Sequence, residues 1–264
     1  MTINMKQISI IGIPGIPLIQ PRDSLGKIIF DATTKAKFQF NEGDIVVVVQ
    51  KIVSKAENCM VLLDDIDPSP EAEHLSKLTG RDPRLCQVVI DESESIIETT
   101  GRMIIVRHRL GFEMSQAGVD NSNVHYPRGV KVATLPKNPD ASARKIREEL
   151  RSYIGIDLAV IISDSLGMGP REGSRGMAIG IAGIAAIEKR NQEDLYGNPS
   201  NPQIALVDEI ASATSILNGQ SSEGIPVVVV RGVEYTKDEN ASIRDLIIPN
   251  WRERVVPYKA KDIL

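Results

Sequence analysis

Asp44-Ile45-Val46-Val47-Val48-Val49-Gln50 is the stretch that decides the fold. Four consecutive valines bounded upstream by Gly43 do not alternate polar with apolar, so the segment reads as a strand buried on both faces. Residues 157–163, containing Leu158-Ala159-Val160-Ile161-Ile162, and residues 226–230, containing Val227 to Val230, have the same character. Each of these strands runs straight into polar residues. Gln50-Lys51-Ile52-Val53-Ser54-Lys55 follows the first, Ser163-Asp164-Ser165-Leu166-Gly167 the second, and Arg231-Gly232 the third. Buried strands that end in polar loops are where functional groups collect.

Working outward, residues 7–13 read as a further strand that enters a stiff loop, Gly12-Ile13-Pro14-Gly15-Ile16-Pro17. Helical spacing marks residues 24–37, 70–78 and 84–97; in the last, Val88, Val89, Ile96 and Ile97 share a face. Residues 102–108 read as a strand. Residues 140–154 form the clearest helix: Pro139 precedes it, Asp140 is placed to cap it, Ile146, Leu150, Tyr153 and Ile154 share a face, and Gly155 suits its end. Residues 204–217 read as a helix stopped by Asn218-Gly219, and residues 241–247 as a short helix ended by Pro249. Strands and helices do not alternate regularly enough for a doubly wound sheet, so the expected class is α+β, mixed sheets with flanking helices. No repeat or linker divides the chain. It reads as a single unit over 1–264, and two interleaved subdomains would leave the same pattern.

Composition limits the function. Hydrophobic residues make up 42% and charged residues 25%, which suits a folded globular chain rather than a disordered one. The net charge of −4, with both signs interspersed, argues against a nucleic-acid partner. Two cysteines, Cys59 and Cys86, do not make a disulfide scaffold. Met1 to Gln7 lacks the pattern of a secretion signal, and the longest uncharged apolar run, residues 176–187, is about half the ~20 residues a membrane span needs. The expectation is a cytoplasmic protein with no membrane partner.

Two carboxylates stand out. Asp120 lies in Ala117-Gly118-Val119-Asp120-Asn121-Ser122-Asn123, and Asp164 is followed by the hydroxyl of Ser165. Brought together, such oxygens suit Mg2+ or Mn2+, hard ions that also bind substrate phosphates. An Asx turn at Asp120 and a helix cap at Asp164 are the structural alternatives. His74, His108 and His125 lack zinc spacing. Gly12-Ile13-Pro14-Gly15 and Asn218-Gly219-Gln220-Ser221-Ser222-Glu223-Gly224 expose backbone that an anion could approach, Lys55 could supply a point charge, and a plain turn or a surface lysine fits equally. Arg171 and Arg175, in the glycine-rich segment 167–176, suit a loop that grips an anionic substrate and also a simple surface loop. Asp208-Glu209, within a predicted helix, reads as structural.

In this order the segments resemble the F420-0:γ-glutamyl ligase family. The matching blocks are Gly15-Ile16-Pro17-Leu18-Ile19, Ile52-Val53-Ser54-Lys55-Ala56-Glu57, Ala117 to Val124, Ile162-Ser163-Asp164-Ser165-Leu166-Gly167, Ala178 to Gly183, Asp194-Leu195-Tyr196-Gly197, Val207-Asp208-Glu209-Ile210-Ala211, and Glu223 to Gly232. The resemblance implies an uncommon F420 ligase-like fold, an intertwined homodimer, and transfer of L-glutamate onto the phospholactyl carboxylate of F420-0. GTP would be the cosubstrate, with Mn2+ or Mg2+ required and K+ as an assisting monovalent ion. It places metal ligation on Asp120, Asp164, Ser165 and Gln220. Nucleotide contacts fall on Ile16, Pro17, Leu18, Ile19, Gln50, Lys51, Lys55, Asn123, Asn218, Gly219, Gln220, Ser221 and Ser222, and the catalytic set on Asp120, Asp164 and Arg171. Where the family has Gly-Arg and an aromatic residue, this chain reads Gly167-Met168-Gly169-Pro170 before Arg171, and Ser115-Gln116 stands where the family tends to have Ala-Asn. A related carboxylate acceptor, or a nucleotide- or deazaflavin-binding protein without turnover, are the alternatives these departures leave.

Overall fold

The structure is a computed structural model, and it describes residues 5–124, 129–167, 172–249 and 251–254. The chain runs β1 (Ser9–Gly12), α1 (Leu25–Lys35), β2 (Ile45–Val49), α2 (Gln50–Ala56), β3 (Met60–Leu62), α3 (Pro70–Thr79), α4 (Pro83–Asp91), β4 (Ser93–Thr100), β5 (Met103–His108), β6 (Glu113–Ser115), β7 (Lys131–Ala133), α5 (Pro139–Ile154), β8 (Ala159–Leu166), β9 (Arg175–Ala182), four two-residue strands β10 to β13 between Glu188 and Ile204, α6 (Leu206–Asn218), β14 (Val227–Arg231) and α7 (Trp251–Arg254). It is an α+β protein with mixed sheets.

The central sheet has the order β1-β14-β2-β8-β9. β2 and β8 are parallel, with Val49 opposite Ser163, and β14 lies antiparallel to both β1 and β2. This pattern decides where the site is. β1, β2 and β8 point the same way, so the residues after each emerge at one end of the sheet. β14 points the other way, so the loop before it arrives at that same end. Ile45 to Val48, Ala159 to Ile162 and Val227 to Val229 are each 0% exposed, which bears out the double burial read from the valine runs.

Two helices cover the opposite faces of the sheet, and a bulge in β9 makes room for both. Ile162 pairs with Gly180 but Ser163 pairs with Ala178, leaving Ile179 as the extra residue and reversing the inward–outward alternation. Gly176 and Gly180 therefore face opposite ways. A Cβ on Gly180 would sit 2.5 Å from the Pro139 backbone at the start of α5, and one on Gly176 would overlap the Ala211 carbonyl of α6. Glycine is what permits both close approaches. The outer edge of β9 is closed by side chains: Ala178 N–H donates to Asp208 of α6 at 2.9 Å, and Ile181 N–H to Asp140 of α5 at 2.9 Å.

The remaining sheets are the meander β4-β5-β6, the pair β3-β7 and two short pairs, β10-β13 and β11-β12. Buried residues of the meander and of β7 join those of the central sheet in one contiguous apolar cluster. Among the described residues no helix is long and apolar enough to cross a membrane, and both Cys59 and Cys86 are free thiols.

Several sequence expectations need correction. The helix expected over 84–97 ends at Asp91, and Ile96 and Ile97 lie in β4, where cross-strand pairing with β5 takes up the β-branched Ile-Ile and Thr-Thr pairs. Asp140 does not cap α5. Asn138 does, accepting from Ala141 N–H at 3.1 Å, and Pro139 takes the first helical position, where its missing N–H is no loss. Ser163, Asp164 and Ser165 stand inside β8 rather than in a loop, which removes the helix cap as a reading of Asp164. Residues 50–55, read as a polar segment after a strand, lie in α2, and the glycine-rich segment read as a loop over 167–176 has become strand by Arg175, where β9 begins.

Candidate functional site

Lys51 in the first turn of α2, Asp120 in the loop before β7, and Asp164 at the end of β8 form the centre of a cavity of about 520 Å3. That volume suits a nucleotide-sized ligand. The walls come from all the segments that the topology delivers to this end of the sheet. Ile16 to Ile19 follow β1, Gln50, Lys51 and Lys55 follow β2, Ser163 to Ser165 end β8, and Asn218 to Ser222 precede β14. Every described residue of the predicted site set lines this one cavity, Asn123 included. Arg171 lies outside the described residues.

The loop presenting Asp120 is unusual in its backbone. Gln116, Ala117 and Gly118 all have positive φ, at 52°, 52° and 66°, and Asn123 follows at 52°. Left-handed conformations in non-glycine residues store strain that the surroundings must hold. Here they do: Ala117 is fully buried, and the backbone of Asp120 exchanges hydrogen bonds with Ala133 in both directions, at 3.0 and 2.8 Å. The carboxylate itself is fixed three times. Ser122 N–H donates to Oδ1 at 2.7 Å, Ser122 Oγ donates to Oδ2 at 2.6 Å, and Lys51 Nζ stands 2.7 Å from Oδ2. The Asx turn anticipated at Asp120 is present alongside an ion pair. Burial pushes this carboxyl up, and Lys51 and Ser122 more than reverse it, so it lies below the usual range.

Asp164 is in the opposite condition. Burial lifts its carboxyl to about 6, with a smaller push from the Asp120 charge, against the Ser165 amide and the Lys51 ammonium. The residue as a whole is only half-buried because the cavity opens beside it, but the carboxyl group sits deep. Its Oδ1 accepts from Ser165 N–H at 2.8 Å.

Lys55 Nζ donates to the Asn123 carbonyl at 2.7 Å, and Asn123 Nδ2 donates to the Ser221 carbonyl at 2.9 Å. These bonds tie α2, the Asp120 loop and the loop before β14 together. Burial, then the charge of Lys51, lowers the Lys55 ammonium below its ordinary value. In the loop before β14, Ser221 N–H donates to Glu223 at 2.9 Å, and backbone amides of the loop hold that carboxyl below its usual range. Amides that gather a carboxylate in this way form an anion-holding turn. Gln50 lines the cavity with its side chain engaged inward: Nε2 donates to Ser54 Oγ at 2.5 Å and to the Thr134 carbonyl at 3.1 Å.

Asp120, Asp164, Ser165 and Gln220 offer two carboxylates and two neutral oxygens on one cavity, a hard-oxygen set that fits Mg2+ or Mn2+ with phosphate and water completing the shell. No group of three or more His, Cys, Asp or Glu side chains suited to a metal occurs among the described residues, which leaves an all-protein cage such as structural zinc without a location there. Sequence reading missed Ser122, Ser163 and the contact between Lys51 and Asp120. Asp-x-Ser spacing is a signal for the first; nothing local marks the last, because 69 positions separate the partners.

Comparison with known proteins adds a second line. Residues 15–232 match the family described as F420-0:Gamma-glutamyl ligase. The chain is 40% identical over 230 residues to the coenzyme F420:L-glutamate ligase of Methanothermobacter thermautotrophicus, spanning 86% of this chain and 90% of that protein. It is 41% identical over 216 residues to the enzyme of the same name from Methanocaldococcus jannaschii (81% and 85% of the two chains) and 35% identical over 246 residues to that of Methanosarcina mazei (90% and 91%).

Proposed function

The chain belongs to the F420-0:γ-glutamyl ligase family, and from that premise we propose that it is a GTP- and divalent-metal-dependent amide ligase adding L-glutamate to the phospholactyl carboxylate of F420-0. The observation that carries the reading is the convergence of Asp120, Asp164, Lys51 and Lys55 on one nucleotide-sized cavity at a single end of the sheet.

A carboxylate and an amine do not condense in neutral water, because oxide would have to leave. In the proposed reaction the acceptor carboxylate oxygen attacks the γ-phosphorus of GTP, the bond to the β-phosphate oxygen breaks, and GDP leaves. The glutamate amine then attacks the acyl carbon, the C–O bond to phosphate breaks, and the ammonium proton is lost, giving an amide and inorganic phosphate. Phosphate is the leaving group that makes the second step feasible. Lys55 and Lys51 hold phosphate oxygens. Asp120, Asp164, Ser165 and Gln220 would hold Mn2+ or Mg2+, which supplies positive charge to the transferring phosphoryl group. Arg171 and Arg175 are assigned to the acidic acceptor. Ile16, Pro17, Leu18 and Ile19 provide an apolar wall for the base. No nucleophilic side chain is needed, so neither Cys59 nor Cys86 has a role in the chemistry. We further propose that the chain works as a homodimer, in the cytoplasm, with K+ assisting.

The acyl-phosphate route is tested by labelling the acceptor carboxylate with 18O. One labelled oxygen should appear in the released phosphate for each amide formed. Phosphate free of label, with amide made at the normal rate, would rule out phosphorylation of the carboxylate.

A further inference from the structure

Lys51 is the cation already inside the acidic centre. Its Nζ stands 2.7 Å from Asp120 Oδ2, is shut off from solvent, and has no well-aligned hydrogen-bond acceptor. Its charge is felt by Asp164 on one side and by Lys55 on the other. Asp120 Oδ1 accepts from the Ser122 amide, while Oδ2 accepts from Ser122 Oγ, a hydroxyl free to rotate away, and is held by Lys51, so the charged partner that a metal must displace sits on Oδ2. A Mg2+ ion bound to a carboxylate oxygen lies about 2.0–2.1 Å from it. With the ammonium 2.7 Å from the same oxygen, two positive centres would be crowded together, so the two cations compete. Once displaced, a buried ammonium needs another anion. Asp164, the other carboxylate at the centre of this cavity, is assigned to the same metal, so the anion left for Lys51 is a ligand phosphate.

We infer that Lys51 is an exchangeable counter-ion: its ammonium holds Asp120 until a divalent cation takes that oxygen, then passes to the nucleotide phosphates, so that metal and nucleotide bind cooperatively. The inference rests on the proposed reading of the cavity as a metal–nucleotide site and adds to it an order and a coupling. Metal alone has to evict Lys51 into an unpaired position and binds weakly. Metal with nucleotide gives each charge a partner. Because Lys51 competes with the metal and pairs with the phosphates, removing it has opposite effects on the two ligands, and it weakens their mutual coupling equally from either side.

The test measures Mn2+ binding to the full chain by the loss of the free-ion EPR signal, with and without GDP, in wild type, Lys51→Met, Lys51→Gln and Lys55→Met. Thermal melting checks that each variant is folded, and Lys51→Gln keeps a donor for Asp120 should the methionine variant fold poorly. The expected result is that both Lys51 variants bind Mn2+ alone about tenfold more tightly than wild type, while GDP binds about tenfold more weakly in the presence of Mn2+. Lys55→Met, whose ammonium holds the Asn123 carbonyl instead, should change affinity for Mn2+ alone by less than about threefold. Unchanged or weaker binding of Mn2+ alone by folded Lys51 variants, or an equal gain from Lys55→Met, would overturn the inference and leave the site reading standing. Failure of wild type to bind Mn2+ even with GDP would sink the site reading and the inference together.

Discussion

Asp120 and Asp164 carry the same group, and their surroundings shift it in opposite directions. Lys51 and Ser122 keep Asp120 ionised, while burial lifts Asp164 to about 6. The difference has a consequence for each isosteric variant. Asparagine at 120 keeps the Asx turn but leaves the Lys51 ammonium, which is shut off from solvent, without its anion, a cost of about 3 kcal/mol. Asparagine at 164 removes a carboxylate whose folded pKa lies above its ordinary value. Such a group lends stability below its ordinary pKa and loses it as pH rises through about 6, so at pH 7.5 its removal should leave the fold unharmed or more stable. Both variants should nevertheless lose ligation by about a hundredfold or more if the pair holds the metal. Melting curves and initial rates at pH 7.5 check this, and near-full activity of either variant with Mn2+ would remove that residue from the metal set. At this scale the sequence was partly legible. Asp120, Asp164 and Lys55 could be singled out because each stands beside a buried strand or in a turn-forming segment. The Lys51–Asp120 contact could not, since it depends on where β2 and the loop before β7 meet in space.

Whole elements are set by close approach as much as by periodicity. β9 brings α5 and α6 to opposite faces only because Gly180 and Gly176 lack a side chain and a bulge turns them apart. Gly180→Ala should destabilise the protein by roughly 1–3 kcal/mol, since Pro139 is backbone-rigid and cannot yield. The same change at Gly155, which has no atom within 4 Å of its would-be Cβ, should cost only the strain of its φ of 73°, about 1 kcal/mol. Urea midpoints of the two variants measure the contrast, and equal losses would contradict the packing account. Long periodic elements such as α1 and α5, and the valine strands, were readable because burial repeats along them. The end of α4 was not. Val88, Val89, Ile96 and Ile97 satisfy a helical face on paper, and only the pairing of β4 with β5 converts the second half to strand. The junction is held by Glu92 and the fully buried His108. Leu110 N–H donates to His108 Nδ1 at 3.0 Å, and Nε2 lies 3.5 Å from Glu92. Burial lowers the imidazole below its ordinary value of 6.5, against the pull of Glu92. The unfolded chain therefore takes up the proton first, and stability is lost as pH falls below about 6.5, by at most about 1.4 kcal/mol per pH unit. Between pH 7.5 and 5.5, wild type should lose more stability than His108→Asn, which retains an acceptor for Leu110. An identical pH dependence in the two proteins would show that His108 is not the group that charges.

On the scale of the molecule, the site is a product of strand direction. β1, β2 and β8 leave the sheet at one end and β14 enters it there, so segments separated by some 200 positions in sequence meet in one cavity. The α+β class and the order of the polar segments were visible in the sequence. The parallel pairing of β2 with β8, which brings Lys51 beside Asp164, was not, because strand pairing leaves no local mark on either strand. The family match and the geometry of this cavity support one central claim, glutamate ligation powered by a nucleotide. The most direct measurement is mass spectrometry of the purified protein incubated with F420-0, L-glutamate, GTP and Mn2+. The account predicts a product heavier by one or more glutamyl units, with one GDP formed for each unit added. GDP without a glutamylated product would contradict F420-0 as the acceptor and point to the Gly167-Met168-Gly169-Pro170 departure as the mark of a different one; neither product would contradict ligation itself.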